Sequence, residues 1–241
     1  MNLISNKISS IGGEIICPGD KSISQRILIL GSLLNCKMKI KGFLNSHDPN
    51  STLNALNTIG AHIEKDEGII YLKKRDCPFL KPSQNLDLGN SGTGMRLLLG
   101  LISGLDIKAT LIGDSSLSKR PMMRVINPLQ AMGARIKSNS GMAPIYLEGY
   151  EIDDDFEYEM PVASAQVKSS LILASIASNT SISITEPKIT RDHTERMIEY
   201  FEGDITSVSY THLRAHETPE HLLIRLMLEK KNGGGGGGGG G

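Results

Sequence analysis

Cations placed where a helix begins are the first chemical signal in this sequence. Lys21 and Ser22 fall in the turn Pro18-Gly19-Asp20-Lys21-Ser22, and Arg26 follows one helical turn beyond Ser22, on the same face. The macrodipole puts positive potential at a helix start, which favours carboxylates there and opposes Lys and Arg. A bound anion reverses that preference. A second turn, Leu88-Gly89-Asn90-Ser91-Gly92-Thr93-Gly94-Met95-Arg96, precedes the apolar run Leu97 to Ile102. Its small residues let the backbone approach a ligand, and the free N–H groups of the following helix point back into the turn, which is the outline of a phosphate cradle. A third turn, Val162-Ala163-Ser164-Ala165-Gln166, precedes Leu171-Ile172-Leu173-Ala174 and offers neutral hydrogen-bonding groups suited to a polyhydroxylated or phosphorylated ligand. Lys119 and Arg120 stand just before Pro121, and Arg191 just before Asp192, so cations recur ahead of helix starts.

The elements that must position these groups repeat. Each turn and its helix is followed, after strand-like residues, by a second helix with a similar ending. These are Asp48 to Thr58 before Gly60-Ala61-His62-Ile63, Pro121 to Met132 before Gly133-Ala134-Arg135-Ile136, and Asp192 to Phe201 before Gly203-Asp204-Ile205. The period of about 70 residues is too long for common solenoids and suits a repeated βαβαββ unit. Three such units would each present one polar helix start, and the starts could converge on one site. Local signals place Asp48, before Pro49, as an N-cap, Pro121 as a first helical residue, and Asp192 as a cap with Glu195 at capping-box spacing. Strands are expected at Ser10 to Cys17, Gly42 to His47, Ile69 to Leu72 and Ala109 to Asp114. His47, His193 and Arg196 read as capping, surface or structural residues.

Composition narrows the class. The 241 residues are 39% hydrophobic and 22% charged, with aromatics at only 4% and no Trp, so the chain is globular with an aliphatic core. Lys+Arg and Asp+Glu both total 26, which argues against nucleic-acid or membrane-surface binding and makes any basic site a local one. Cys17, Cys36 and Cys77 show no metal-like spacing, the start lacks a signal-peptide plan, and no apolar run approaches the roughly 20 residues of a membrane span. The expectation is a reduced, soluble, cytoplasmic protein with no metal and no cofactor.

The residues carry a family resemblance. Pro18 to Arg26, Gly89 to Arg96, Arg120-Pro121, Ser164-Ala165-Gln166-Val167-Lys168-Ser169 and Thr190-Arg191-Asp192-His193-Thr194-Glu195-Arg196 together resemble the N-terminal half of 5-enolpyruvylshikimate-3-phosphate synthases. The forms around Ser164 and Arg191 are similar to the bacterial branch described as class II. The resemblance implies an α+β fold, the inverse α/β barrel-like enolpyruvyl transferase arrangement, in which two domains of three βαβαββ units face each other across the active site. It implies transfer of the enolpyruvyl group of phosphoenolpyruvate to the 5-hydroxyl of shikimate 3-phosphate with release of phosphate, a step of aromatic amino-acid biosynthesis inhibited by glyphosate. Carried over by position, Lys21, Asn90, Gly92, Arg120 and Gln166 would meet phosphoenolpyruvate. Lys21, Ser22, Arg26, Ser164, Gln166 and Arg191 would hold shikimate 3-phosphate. Lys21 is the candidate catalytic acid, and Arg96 is assigned to shaping its loop. Leu97 stands where many relatives carry Pro. The small-molecule substrates would be the partners of a monomer.

The repeat stops after Ile205. Residues 1–205 are expected to form the enolpyruvyl transferase N-terminal domain, and residues 206–241 an unrelated tail, similar to translated adapter DNA ending in the run Gly233 to Gly241. Within that tail His212, His216, Glu217 and His221 imitate a zinc site, but Pro219 interrupts the helix such a site needs and the spacing is one residue too long. The second domain and its partner carboxylates are absent from the chain, so the fragment is expected to be inactive alone. Two alternatives stand beside this reading. A UDP-sugar enolpyruvyl transferase would be expected to carry Lys-Asn at Lys21-Ser22 and a Cys near Arg120, where this chain has Ser115 to Lys119. A non-catalytic anion-binding module would use the same helix starts without chemistry.

Overall fold

The three aliphatic runs behind the polar turns become the three central helices. The structure is a computed structural model that describes residues 4, 6–7, 9–10, 12–15, 17–105, 107–152, 154–208 and 212–215. The first unit contains α1 (Lys21–Leu34), β1 (Met38–Ile40), α2 (His47–Thr58), β2 (His62–Asp66) and β3 (Ile69–Lys73). The second contains β4 (Leu86–Asp87), α3 (Gly92–Ser103), β5 (Lys108–Ile112), a 3-10 turn at Leu117–Lys119, α4 (Met123–Ala131), β6 (Ala134–Asn139) and β7 (Met142–Tyr150). The third contains β8 (Phe156–Glu159), α5 (Ala165–Ser178), β9 (Ile182–Thr185), α6 (His193–Tyr200), β10 (Ile205–Val208) and β11 (His212–Ala215).

The repeat read from the sequence is a repeat of topology. In the second sheet the order is β4-β5-β7-β6, with β4 parallel to β5 and the other pairs antiparallel. The third sheet has the equivalent order β8-β9-β11-β10 and the same pairing senses. The first sheet, β1-β3-β2, matches the last three strands of the others but lacks the leading parallel strand. The sequence places that strand at Ser10 to Cys17, where the described residues 12–15 and 17 form no strand and are exposed. A strand exists through the partner that satisfies its backbone groups, and no strand among the described residues pairs with this segment. The strand expected at Gly42 to His47 is also displaced, to Met38–Ile40. Gly42 adopts φ +73, which ends the extended run, and the Ser46 amide turns back to the Leu44 carbonyl at 3.0 Å.

The core lies around α1, α3 and α5. Leu28, Ile29, Leu97, Leu98, Leu99, Leu101 and Leu171 are fully buried, as the aliphatic composition requires. Two glycines set the approach of α3 to α5. A Cβ on Gly100 would stand 2.1 Å from the Ser170 carbonyl oxygen, and one on Gly104 would stand 2.1 Å from that of Ala174. The second helices α2, α4 and α6 are amphipathic, burying Leu53 and Leu56, Val125, Ile126 and Leu129, and Ile198 respectively. No helix among the described residues is long and apolar enough to cross a membrane.

Of the segment 206–241, residues 206–208 lie in β10 and residues 212–215, including His212, form β11. The other residues of that segment, His216, Glu217 and His221 among them, lie outside the described residues.

Candidate anion-binding site

Each central helix starts on a side-chain cap. Asp20 Oδ1 accepts from the Ile23 amide at 2.8 Å, Ser91 Oγ from the Gly94 amide at 3.1 Å, and Ser164 Oγ from the Val167 amide at 3.4 Å. Such a cap satisfies one of the four orphan N–H groups of a helix start and leaves others free for a ligand.

The three starts are tied to one another in pairs. Gln25 of α1 donates to Ser91 Oγ, the cap of α3, at 2.6 Å, and to Thr52 Oγ1 at 2.9 Å. Gln166 of α5 donates to Thr93 Oγ1 of α3 at 3.0 Å, and Ser170 Oγ donates to the Arg96 carbonyl at 2.7 Å. Arg26 of α1 donates to Ser169 Oγ of α5 at 3.0 Å. Three positive helix ends therefore converge. None of their first turns holds an acidic residue, whereas α2 carries Asp48 and α6 carries Glu195 in theirs. The outer helices α2 and α6 follow the dipole preference; of the inner helices, α3 and α5 do without an acid at the start, and α1 meets the preference only through its cap Asp20.

The structure places the expected site residues as follows. Lys21 is the first residue of α1, about half exposed, with its ammonium 2.9 Å from Asp48 Oδ2. Asp48 is thus an ion-pair partner rather than the N-cap expected from Asp48-Pro49. The cap position of α2 falls on Ser46, whose side chain makes no cap bond. Ser22 follows at the α1 start, and His47 lies exposed at the first position of α2. Arg26 is buried beneath Ser22. It donates from Nε to Thr194 Oγ1 at 2.8 Å, to Ser169, and to the Ser22 carbonyl at 3.3 Å, which occupies three of the guanidinium's five N–H donors. Burial pushes its pKa down, against the opposing pull of Glu195 and Asp20.

Asn90 and Arg120 hold the glycine turn together. Arg120 donates to the Asn90 side-chain oxygen and, at 3.3 Å, to the Asn90 carbonyl, while Asn90 Nδ2 donates to Asp114 Oδ2 at 2.8 Å. The Leu117 amide first, with Asn90, the Ser116 amide and Arg120, holds the Asp114 carboxyl below its ordinary range. Gly92 faces two guanidinium groups: a Cβ there would stand 3.1 Å from Arg96 Nη1 and 3.2 Å from Arg120 Nη1. Arg96 Nη1 also donates to the Gly92 carbonyl at 3.0 Å, one turn back in α3. Burial, then Arg120 and Arg124, push its pKa down. Arg124 is a cation that sequence reasoning missed, and its position four residues after Arg120 is the available signal. Arg120-Pro121 is extended, and α4 begins at Met123 rather than Pro121.

Ser164 caps α5 beside Gln166, and Arg191 lies exposed just ahead of α6. The expected capping box at Asp192 does not form: Asp192 makes no side-chain cap bond, and Glu195 turns inward to Lys168 Nζ at 2.6 Å. Lys168 and Glu186 are buried charges that sequence reasoning missed, as is Arg75 away from the site. Cys17, Cys36 and Cys77 form no disulfide with one another.

The family model described as EPSP synthase (3-phosphoshikimate 1-carboxyvinyltransferase) matches residues 5–224. The 3-phosphoshikimate 1-carboxyvinyltransferase of Petrotoga mobilis is 46% identical over 207 residues, covering 84% of this chain and 48% of its own length. That of Synechocystis sp. is 43% identical over 218 residues, covering 88% and 48%. The solved EPSP synthase of Acinetobacter baumannii superposes with a TM-score of 0.78 at 37% identity, over 85% of this chain and 46% of that one. The chain spans about half the length of the curated relatives it matches. Matched over most of its length in both sequence and fold, this chain belongs to the EPSP synthase family.

Proposed function

We propose that the chain is the shikimate-3-phosphate-binding half of an enzyme that transfers the enolpyruvyl group of phosphoenolpyruvate to the 5-hydroxyl of shikimate 3-phosphate. The convergence of three pairwise-bridged helix starts whose first turns hold no acidic residue carries this reading. Two phosphorylated carboxylates must be held side by side, which calls for several fixed cations and free N–H groups in one place. Ser22, Ser164, Gln166, Arg191 and the two uncommitted N–H groups of Arg26 hold shikimate 3-phosphate. Asn90, Gly92 and Arg120 hold phosphoenolpyruvate, with Gln166 between the two. Lys21, fixed by Asp48 at the edge of the cluster, touches both ligands and supplies the acid. Arg96 and Arg124 add positive potential behind Gly92. The protein acts as a cytoplasmic monomer on these small molecules. Its enzymatic domain is assigned to residues 1–205, with residues 206–241 as an appended tail.

The chain alone binds without turnover. The reaction needs proton transfer at phosphoenolpyruvate and expulsion of phosphate, and loss of one positioned acid or base costs roughly 10²–10⁴ in rate. The chain spans about half the length of the relatives, and the two-domain arrangement that the resemblance implies puts the rest of the cleft on the other half. Titration calorimetry with shikimate 3-phosphate, paired with a phosphate-release assay including phosphoenolpyruvate, tests both halves. Weak binding without phosphate release is expected. Steady release abolished by Lys21→Ala would overturn the half-enzyme reading, and no binding at millimolar ligand would overturn the binding reading.

A further inference from the structure

Behind Arg191 lies a buried set of charges, of which the ligand binding proposed above uses Arg26 alone. Lys168, one turn down α5 from Ser164, places its ammonium 2.6 Å from Glu195 Oε1 and 3.0 Å from Glu186 Oε1. The three side chains are 3%, 4% and 6% exposed in the order Lys168, Glu195, Glu186. Arg26, on which Glu195 acts electrostatically, completes a set of two cations and two carboxylates. Buried ion pairs are poor sources of stability, since desolvation offsets their attraction and apolar replacements often do as well. What this set achieves is better read from where its members sit.

Glu186 follows β9 directly. Its carboxylate accepts from the Thr190 amide at 3.1 Å and the Thr190 hydroxyl at 2.7 Å, closing residues 186–190 into a loop that ends beside Arg191. Burial pushes the Glu186 carboxyl up, but Thr190 and Lys168 outweigh it and hold the group below its ordinary range. Glu195 lies in the first turn of α6, just past Arg191. Lys168 thus clips both flanks of the Arg191 segment to the helix that presents Ser164 and Gln166. The second Glu195 oxygen has no hydrogen-bond partner, so Lys168 is the contact that fixes this carboxylate.

We propose that Lys168, with Glu186 and Glu195, is a positioning device that sets the distance of Arg191 from the Ser164–Gln166 helix start, and thereby the span of phosphorylated ligand gripped between them. The proposal rests on the shikimate 3-phosphate reading given above. It predicts that Lys168 influences affinity only through Arg191.

A double-mutant cycle on the full chain tests it, read by calorimetry with shikimate 3-phosphate and checked for folding by circular dichroism. Lys168→Met should weaken binding roughly tenfold, the effect of removing one charge-assisted hydrogen bond to the ligand. In an Arg191→Ala background the same change should cost less than about twofold, because the group it positions is gone. In a Lys21→Ala background the tenfold cost should persist. An equal cost with and without Arg191, or no cost in either, overturns the positioning role while wild-type binding stands. Failure of the wild-type chain to bind overturns the ligand reading itself and the positioning role with it. Should Lys168→Met not fold, Glu186→Gln, which keeps the Lys168–Glu195 pair, enters the same cycle with the same expected non-additivity.

Discussion

Two glycines in one helical turn should respond in opposite ways to a methyl group. Gly94 sits against the junction of three elements: an added Cβ would stand 2.7 Å from Ser91 Oγ, 2.7 Å from Thr52 Oγ1 and 3.0 Å from Gln25 Nε2. All three side chains are fully buried, and Ser91 and Thr52 are too short to swing away. Gly94→Ala therefore strains the site by about 1–3 kcal/mol of overpacking. It also loosens the Gln25 bonds to Ser91 and Thr52, at about 0.5–1.5 kcal/mol each. Alanine returns about 1 kcal/mol of helix propensity. The net expectation is a loss of about 3 kcal/mol, which in a domain of this size lowers the unfolding midpoint by about 6–12 °C. Gly92→Ala instead meets the far ends of Arg96 and Arg120, which are only partly buried and can give way. Its midpoint should stay within about 3 °C of wild type, the propensity gain roughly balancing the displacement.

Thermal and urea unfolding followed by circular dichroism decide between them. A Gly94→Ala chain within about 1 kcal/mol of wild type, an order of magnitude set by one hydrogen bond, would refute the reasoning. So would a Gly92→Ala chain less stable than Gly94→Ala. A Gln25→Ala background supplies a control: with one of the three obstructing groups removed, Gly94→Ala should cost less than it does in wild type.

Gly100→Ala should be more damaging than either, because its Cβ would lie 2.1 Å from a backbone carbonyl of α5 that no rotamer change can move, and limited proteolysis should show an unfolded or expanded chain. The depressed pKa of Glu186 gives stability that is present above its unfolded value near 4.5 and lost as pH falls through the folded value; the stability gap between wild type and Glu186→Gln should accordingly be wider at pH 7 than at about pH 3, and a gap independent of pH would refute the linkage. In a chain completed with its second domain, Gly92→Ala should weaken glyphosate inhibition more than phosphoenolpyruvate use, since the methyl group would stand between the Arg96 and Arg120 guanidinium groups; equal loss of both would remove the steric role. Deleting residues 206–241 should leave the three central helices folded, because α1, α3 and α5 bury their aliphatic side chains against one another, although β9 loses its partner β11; a midpoint lowered by more than about 10 °C, several kcal/mol in a domain of this size, would sink that expectation.

What the sequence disclosed was local. A small-residue turn followed by an aliphatic run is a signal carried within about ten residues, and it located all three central helices, though it did not single out their caps Asp20, Ser91 and Ser164. What it withheld depended on partners far along the chain. Asp48 before Pro49 satisfies every local rule for an N-cap, yet Lys21, 27 residues earlier, claims its carboxylate. Glu195 stands at capping-box spacing from Asp192, yet Lys168 draws it inward. Local rules gave the wrong partner in both cases because a charge on the tertiary neighbour attracts a carboxylate more strongly than a neutral backbone amide does.

Those two departures have a common sense. In the first unit the acidic residue of the outer helix α2 meets a cation of the inner helix α1, and in the third unit that of α6 meets a cation of α5. The second unit breaks the pattern. The first turn of α4 contains no acidic residue, and Arg96, Arg120 and Arg124 form no ion pair among the described residues, with Asp114 acting on Arg120 only at longer range. Uncompensated positive potential is therefore concentrated at the middle helix start, where glycine at position 92 also leaves the backbone open. An anion approaching the three helix starts gains most there, which is the physical ground for proposing phosphoenolpyruvate at the turn around Gly92 and leaving the flanking, charge-balanced starts to the larger and more hydroxylated partner.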